Sequence, residues 1–227
     1  MFIFFCIVAI IVLIIFFIGN YYSSKARAER NLEELNTYIN NFIIDNNLLH
    51  SFLIIDSNIW MNSDYDSFFT LLARHLINQK KQLILYGQQF DEICNIKKKT
   101  KYGGKKNQRS RMAINRIDWL TESSLLRIEP ITLDAEQGAY ADPFIIKLLT
   151  KKASSGNQCS FLSDDKELRI RIREHLKRLN YQQLCTIVEM NKISLICHTA
   201  NLLEDYLKQQ KYDTVSLNDY LSANIRK

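Results

Sequence analysis

Apolar residues open the chain without a break from Phe2 to Ile18, the longest such run in the sequence. Coiled as a helix, the run would be ~25 Å long, and continued through Gly19-Asn20-Tyr21-Tyr22 it reaches about 33 Å, against a hydrocarbon core of ~30 Å. This predicts one transmembrane helix ahead of everything else (residues 1–23, in contact with lipid along 2–22), with Tyr21 and Tyr22 as interfacial anchors. A cleaved signal peptide would carry a basic stretch before a shorter apolar run, and no basic side chain precedes Phe2. Lys25, Arg27 and Arg30 follow the span directly. The excess of cations on that side predicts a single-pass protein with its N-terminus outside and all that follows in the cytoplasm.

Beyond the span the pattern becomes periodic. Leu32, Leu35, Tyr38, Ile39, Phe42 and Ile43 recur at three- and four-residue steps, predicting an amphipathic linker helix over 24–50 that ends near Asn46-Asn47. Its stripe along 24–47 suits either pairing with a second copy, giving a homo-oligomer, or docking on the domain. Short apolar runs then alternate with helical stretches. Strands are expected at 52–55, 82–86, 125–128, 159–162 and 193–197. Helices are expected at 66–79, from 88 onward, at 110–122, 144–152, from 165 to about 178, and at 200–210. Such alternation predicts an α/β domain over 51–210 with a mainly parallel central sheet. The tail, 211–227, is polar and shows no clear period.

Composition changes this picture in two ways. The formal net charge of +6 favours an acidic partner, nucleic acid or an anionic surface. The five Cys are scattered without a C-x-x-C pair, which argues against a disulfide framework or a structural zinc site and for a reducing compartment.

The candidate chemistry lies at strand ends. In an open α/β sheet the carboxyl ends of the strands border the ligand crevice. Asp56 closes the first strand and Asp164-Asp165 a later one, Asp142 opens a helix, and Asp91-Glu92 lie in the helix after the second strand. Acids gathered there would repel one another unless a cation neutralised them or some kept their protons. Hard oxygen ligands suit Mg²⁺ or Mn²⁺, which can polarise a phosphodiester and activate water against it. Each acid also has a purely structural role open to it. Asp56-Ser57-Asn58 suits a turn, Asp142 before Pro143 suits a helix cap, and Asp164 with Glu167 suits a capping box that leaves Asp165 free.

Four segments, Ile54-Ile55-Asp56-Ser57-Asn58-Ile59, Glu92-Ile93, Ala141-Asp142-Pro143-Phe144-Ile145-Ile146 and Phe161-Leu162-Ser163-Asp164-Asp165-Lys166-Glu167-Leu168, resemble in order and spacing the motifs of PIN domains. The resemblance covers about residues 51–210. It implies a three-layer α/β/α sandwich and a metal-dependent ribonuclease that cuts RNA, with single-stranded DNA as a further substrate class. It implies Asp56, Glu92, Asp142 and Asp165 as catalytic metal ligands, with Asn58 and Ser163 as hydrogen bonders behind them. Asp91 competes with Glu92 for its place, and Asp164 with Asp165. Because toxin–antitoxin systems use this fold, an inhibitory protein partner is a further expectation.

Between these motifs Lys97, Lys98, Lys99, Lys101, Lys105, Lys106, Arg109, Arg111 and Arg116 occur with no acid among them, around Gly103-Gly104. A flexible basic loop beside an acidic cleft would tether a phosphate backbone, although charge runs are ordinarily solvated surface. Tyr102 is the one aromatic within it. Two rivals stand beside the nuclease. One is a non-catalytic nucleic-acid-binding or scaffolding module at the membrane, with the acids as caps. The other is a phosphatase with a strand-end Asp nucleophile, disfavoured because Asn58 stands where that pattern needs a second Asp.

Overall fold

A computed structural model describes the backbone of residues 2–130 and 141–225, and the side chains of residues 21–130 and 142–209. The chain divides into two compact units, 38–198 and a second built from 1–37 with 199–227. Both long helices, α1 (Phe2–Asp45) and α8 (Asn191–Ile225), pass through the boundary.

Five strands of four or five residues, apolar or alternating, form two hydrogen-bonded sheets side by side in the 38–198 unit. They are β1 (Phe52–Ile55), β2 (Leu83–Tyr86), β3 (Leu126–Glu129), β4 (Cys159–Ser163) and β5 (Cys185–Glu189). All ladders are parallel: β1 pairs with β4 and β4 with β5, while β2 pairs with β3. β2 lies beside β1 without a ladder, giving the spatial order β3–β2–β1–β4–β5. Gln89 and the Trp60 indole both donate to the Ile55 carbonyl, at 2.8 and 3.1 Å, where β1 meets β2. The chain winds outward from β1 on one side through β2 and β3, then on the other through β4 and β5. β1 and β4 therefore flank the point where strand order reverses, which in such sheets is where ligands bind.

The connecting helices are α2 (Ser57–Trp60), α3 (Asp66–Gln79), α4 (Gly87–Lys99), α5 (Lys105–Glu122), α6 (Ala141–Ser154) and α7 (Lys166–Arg178). α1 stops at Asn47, which takes φ +54°. There Asn47 N–H bonds the Ile44 carbonyl and Leu48 N–H the Ile43 carbonyl, at 2.9 and 3.1 Å. This left-handed stop satisfies the last carbonyls and seats Leu48 against the core. Lys80, Ser124 and Asn180 end α3, α5 and α7 the same way, without glycine. The core joins Ile54, Tyr86, Ile145, Leu149, Phe161, Leu168 and Ile172 around β1 and β4.

Several expectations are corrected. Residues 193–197 are helical, the first turns of α8, and the edge strand is 185–189. Ile193, Cys197 and Ala200 are buried at steps of four and three, a helical spacing that an apolar five-residue window hides. The basic segment is not a flexible loop: α4 carries it to Lys99 and α5 resumes at Lys105. Residues 24–45 are no separate linker, since α1 is one helix from Phe2, and within the 38–198 unit its Ile39 and Ile43 are fully buried. That end of the stripe docks on the domain. The side chains of the expected membrane span, 2–20, lie outside the described residues, as do those of the tail. Among the described residues no helix is long and apolar enough to cross a membrane.

Candidate functional site

The carboxyl end of β1 turns directly into α2, so Asp56 sits at the reversal point with its side chain only 4% exposed. Its amide donates to the Leu162 carbonyl at 2.9 Å. Its carboxylate accepts from Ser163 Oγ at 2.6 Å, tying the end of β1 to the end of β4. Burial pushes the Asp56 carboxyl up to about 6, and the negative charges of Glu92 and Asp142 add to that rise, against the opposing Ser163 bond.

Glu92 reaches the same edge from α4. Its carboxylate accepts from Ser57 Oγ at 2.6 Å, and burial first, then Asp142, raise its pKa. Asp91, its neighbour, is exposed, which separates two residues that periodicity leaves equivalent. Asp142 lies in the first turn of α6 rather than at its cap position. Burial and the charges of Asp165 and Glu167 raise its carboxyl, while Arg171, 3.4 Å away from α7, opposes the rise. Three acids, from the end of β1, the body of α4 and the first turn of α6, are thus linked by charge, Asp56 responding to Glu92 and Asp142, and Glu92 to Asp142.

The fourth motif is rearranged. Asp165, not Asp164, caps α7: its carboxylate accepts from Leu168 N–H at 2.9 Å, and its own amide donates to Ser163 Oγ at 3.0 Å. Asp164 turns away and accepts from the Tyr65 hydroxyl at 2.7 Å, with burial raising its pKa. Asp164 therefore stands outside the group, and Asp165 meets it through Asp142. Asn58 is exposed; the hydrogen bond expected of it comes instead from Ser57, which points inward because α2 begins there. Serine at that position has no motif to announce it beyond its place after the strand.

Among the described residues, no three His, Cys, Asp or Glu side chains come together closely enough to hold a metal ion. The donor chemistry nevertheless fits a hard divalent cation. Asp56, Glu92 and Asp142 are oxygen donors raised first by burial, with Asp142 acting on both of the others and Glu92 on Asp56, and a cation among them would favour their charged forms.

Sequence reasoning missed Arg116. Counted there with the surface cations, it is buried, with 8% exposure. From the middle of α5 it donates to the carbonyls of Trp60 and Asn62 at 2.6 and 3.2 Å, and it pairs with Asp66. Its guanidinium lies over the Phe69 ring, 4.3 Å from the centroid. The turn that follows Asp56 is thereby bolted to the helix that carries half of the basic segment. The remaining basic residues, Lys97, Lys98, Lys99, Lys101, Lys105, Lys106, Arg109 and Arg111, are all exposed.

No protein-family model matches the chain, and no curated protein matches it significantly.

Proposed function

We propose that the chain is a PIN-like, metal-dependent endoribonuclease, held at a membrane by residues 2–22 with its catalytic domain in the cytoplasm. The observation that carries this is the group Asp56, Glu92 and Asp142 at the strand-reversal edge, where burial raises all three acids, Glu92 and Asp142 add to the rise of Asp56, and Asp142 adds to that of Glu92. One buried carboxylate flanked by two half-buried ones, all three raised, is a catalytic arrangement more than a structural one. Asp56, Glu92 and Asp142 would hold Mg²⁺ or Mn²⁺, with Asp165 at the margin through Asp142. The cation would polarise the scissile phosphodiester and lower the pKa of an attacking water. Ser163 and Ser57 keep the Asp56 and Glu92 carboxylates aimed, each through one 2.6 Å hydrogen bond. Arg171 balances Asp142 and is exposed enough to exchange that partner for a phosphate.

The non-catalytic rival draws on one observation, the use of Asp165 as a helix cap. The two diverge in a nuclease assay on the full-length protein in detergent, with RNA and single-stranded DNA, with and without Mn²⁺. The full chain is required because Ile39 and Ile43 of α1 are core residues of the domain. Cleavage that depends on Mn²⁺ and is lost in Asp142→Ala is expected. If Asp142 serves only the first turn of α6, the variant loses about 0.3–1 kcal/mol of stability and cuts normally.

Replacing Lys97, Lys98, Lys99, Lys105 and Lys106 by Gln should weaken RNA binding alike for all sequences. The slope of log affinity against log salt should flatten by up to about 3.5 on a single strand. Unchanged affinity at low salt would make these lysines ordinary solvated surface.

A further inference from the structure

Between α4 and α5 the chain makes a turn over residues 100–104 that is held by hydrogen bonds at both ends. Thr100 Oγ1 donates to the Ile96 carbonyl at 2.6 Å, and Gly104 N–H to the Lys101 carbonyl at 3.0 Å. Asn107, only 4% exposed, reaches back to the Lys97 carbonyl at 2.7 Å. Gly103 takes φ +80°, a conformation costly for other residues, and a Cβ on Gly104 would come within 3.1 Å of the Lys101 carbonyl. This rigid turn presents Tyr102, the most exposed large hydrophobic side chain among the described residues at 76%.

Tyr102 is not merely loose on the surface. The Arg111 guanidinium lies over one face of its ring, 4.5 Å from the centroid, and Arg111 Nη1 donates to its hydroxyl at 3.4 Å. A cation on one face fixes the ring and leaves the opposite face to solvent. Exposed lysines before and after the turn surround it with positive charge and no acid.

We propose that Tyr102, backed by Arg111, is a stacking platform for an unpaired base, so that the nucleic acid held by this surface is single-stranded. The proposal rests on the assignment of the basic segment to nucleic-acid binding and adds the substrate class to it. A phosphate backbone alone would be served by lysines without an aromatic. A base in a duplex is already stacked on both faces and cannot offer one to Tyr102, whereas every unpaired base has a free π-face. An acidic peptide would satisfy the cations and leave the ring unused. The platform is also mechanically joined to the acid group: Glu92 lies on α4 about 10 Å of helix rise before Lys99, and Arg116 on α5 grips the turn after Asp56.

The test uses the full-length protein in detergent with a chelator present, so that binding is read without cleavage. Fluorescence anisotropy is measured with a single-stranded RNA, a strand of equal length lacking bases, and a duplex. Tyr102→Ala should weaken the single strand by roughly 5- to 100-fold, with an unchanged salt slope and little effect on the abasic strand or the duplex. Tyr102→Phe should bind like the wild type. Equal loss on the abasic strand, no loss on the single strand, wild-type affinity for the duplex matching that for the single strand, or no RNA binding by the wild type would each overturn the proposal. Failure of the nuclease assignment is separable. If Tyr102 governs single-strand binding yet Mn²⁺ triggers no cutting, the platform stands and the catalytic assignment falls. If Mn²⁺-dependent cutting persists while Tyr102→Ala binds normally, the platform falls alone.

Discussion

Asp56→Asn should lower metal-dependent cleavage by orders of magnitude and, in the same preparation, make the metal-free protein more stable at pH 8. The carboxylate is one of three that would hold the cation, so its loss removes charge stabilisation and water activation together. The gain in stability has an electrostatic origin. Burial, Glu92 and Asp142 raise Asp56 from 3.8 to about 6 in the folded protein, so between those values the folded state holds a proton that the unfolded chain releases. The contribution is complete below about pH 4 and is lost as pH rises through about 6, a loss on the order of 3 kcal/mol. Asn keeps the acceptor for Ser163 without ever needing to ionise. Wild-type stability measured without metal should therefore fall across pH 4 to 7 more steeply than that of the variant. Added Mn²⁺ at pH 8 should recover it in the wild type and not in Asp56→Asn. Full activity in the variant would sink the nuclease assignment. Parallel stability profiles would show that Asp56 is not held against its charge.

The second large effect is purely structural. Arg116→Ala should cost about 2–4 kcal/mol and lower Tm by roughly 10 °C, although the residue belongs to the most basic stretch of the chain. Its removal strands the buried Trp60 carbonyl, leaves the Asn62 carbonyl with the Tyr65 amide alone, and opens a gap beside Phe69. Burial lowers the Arg116 pKa and the Asp66 charge resists that. Asp66 itself is half exposed, at 54%, so Asp66→Asn should cost far less than Arg116→Ala. Lysine cannot replace the planar fork that serves the carbonyls of Ile59, Trp60 and Asn62 and the Asp66 carboxylate at once, and Arg116→Lys should recover little. A loss below 1 kcal/mol by urea denaturation would return Arg116 to the surface set. Because the same clamp holds the turn after Asp56, residual folded Arg116→Ala protein should also cut poorly.

The sheet was legible because a strand buried on both faces needs a mainly apolar run, and Phe52–Ile55 is one without a break while Cys159–Leu162 is broken only by the small Ser160, both ending on polar residues. The place of Asp56 followed from that: a carboxylate after a buried parallel strand must emerge at the carboxyl edge. The same logic failed at 193–197, where a short apolar window reads equally as strand or as one buried helix face. The true edge strand, 185–189, went unseen because it is only partly buried and begins in a polar stretch.

Within the candidate site, the residues by themselves marked Asp56, Asp142 and the pairs Asp91-Glu92 and Asp164-Asp165, and the family resemblance chose Glu92 and Asp165 from the pairs. Which serine backs which acid, which of two adjacent aspartates caps α7, and which of Asp91 and Glu92 faces inward were decided by helix starts. A shift of one residue there turns a side chain by about 100°. The burial of Arg116 was hidden for a similar reason. A run of cations has one signature in sequence, and only the packing of α5 against the turn after β1 buries one member and leaves the others in water.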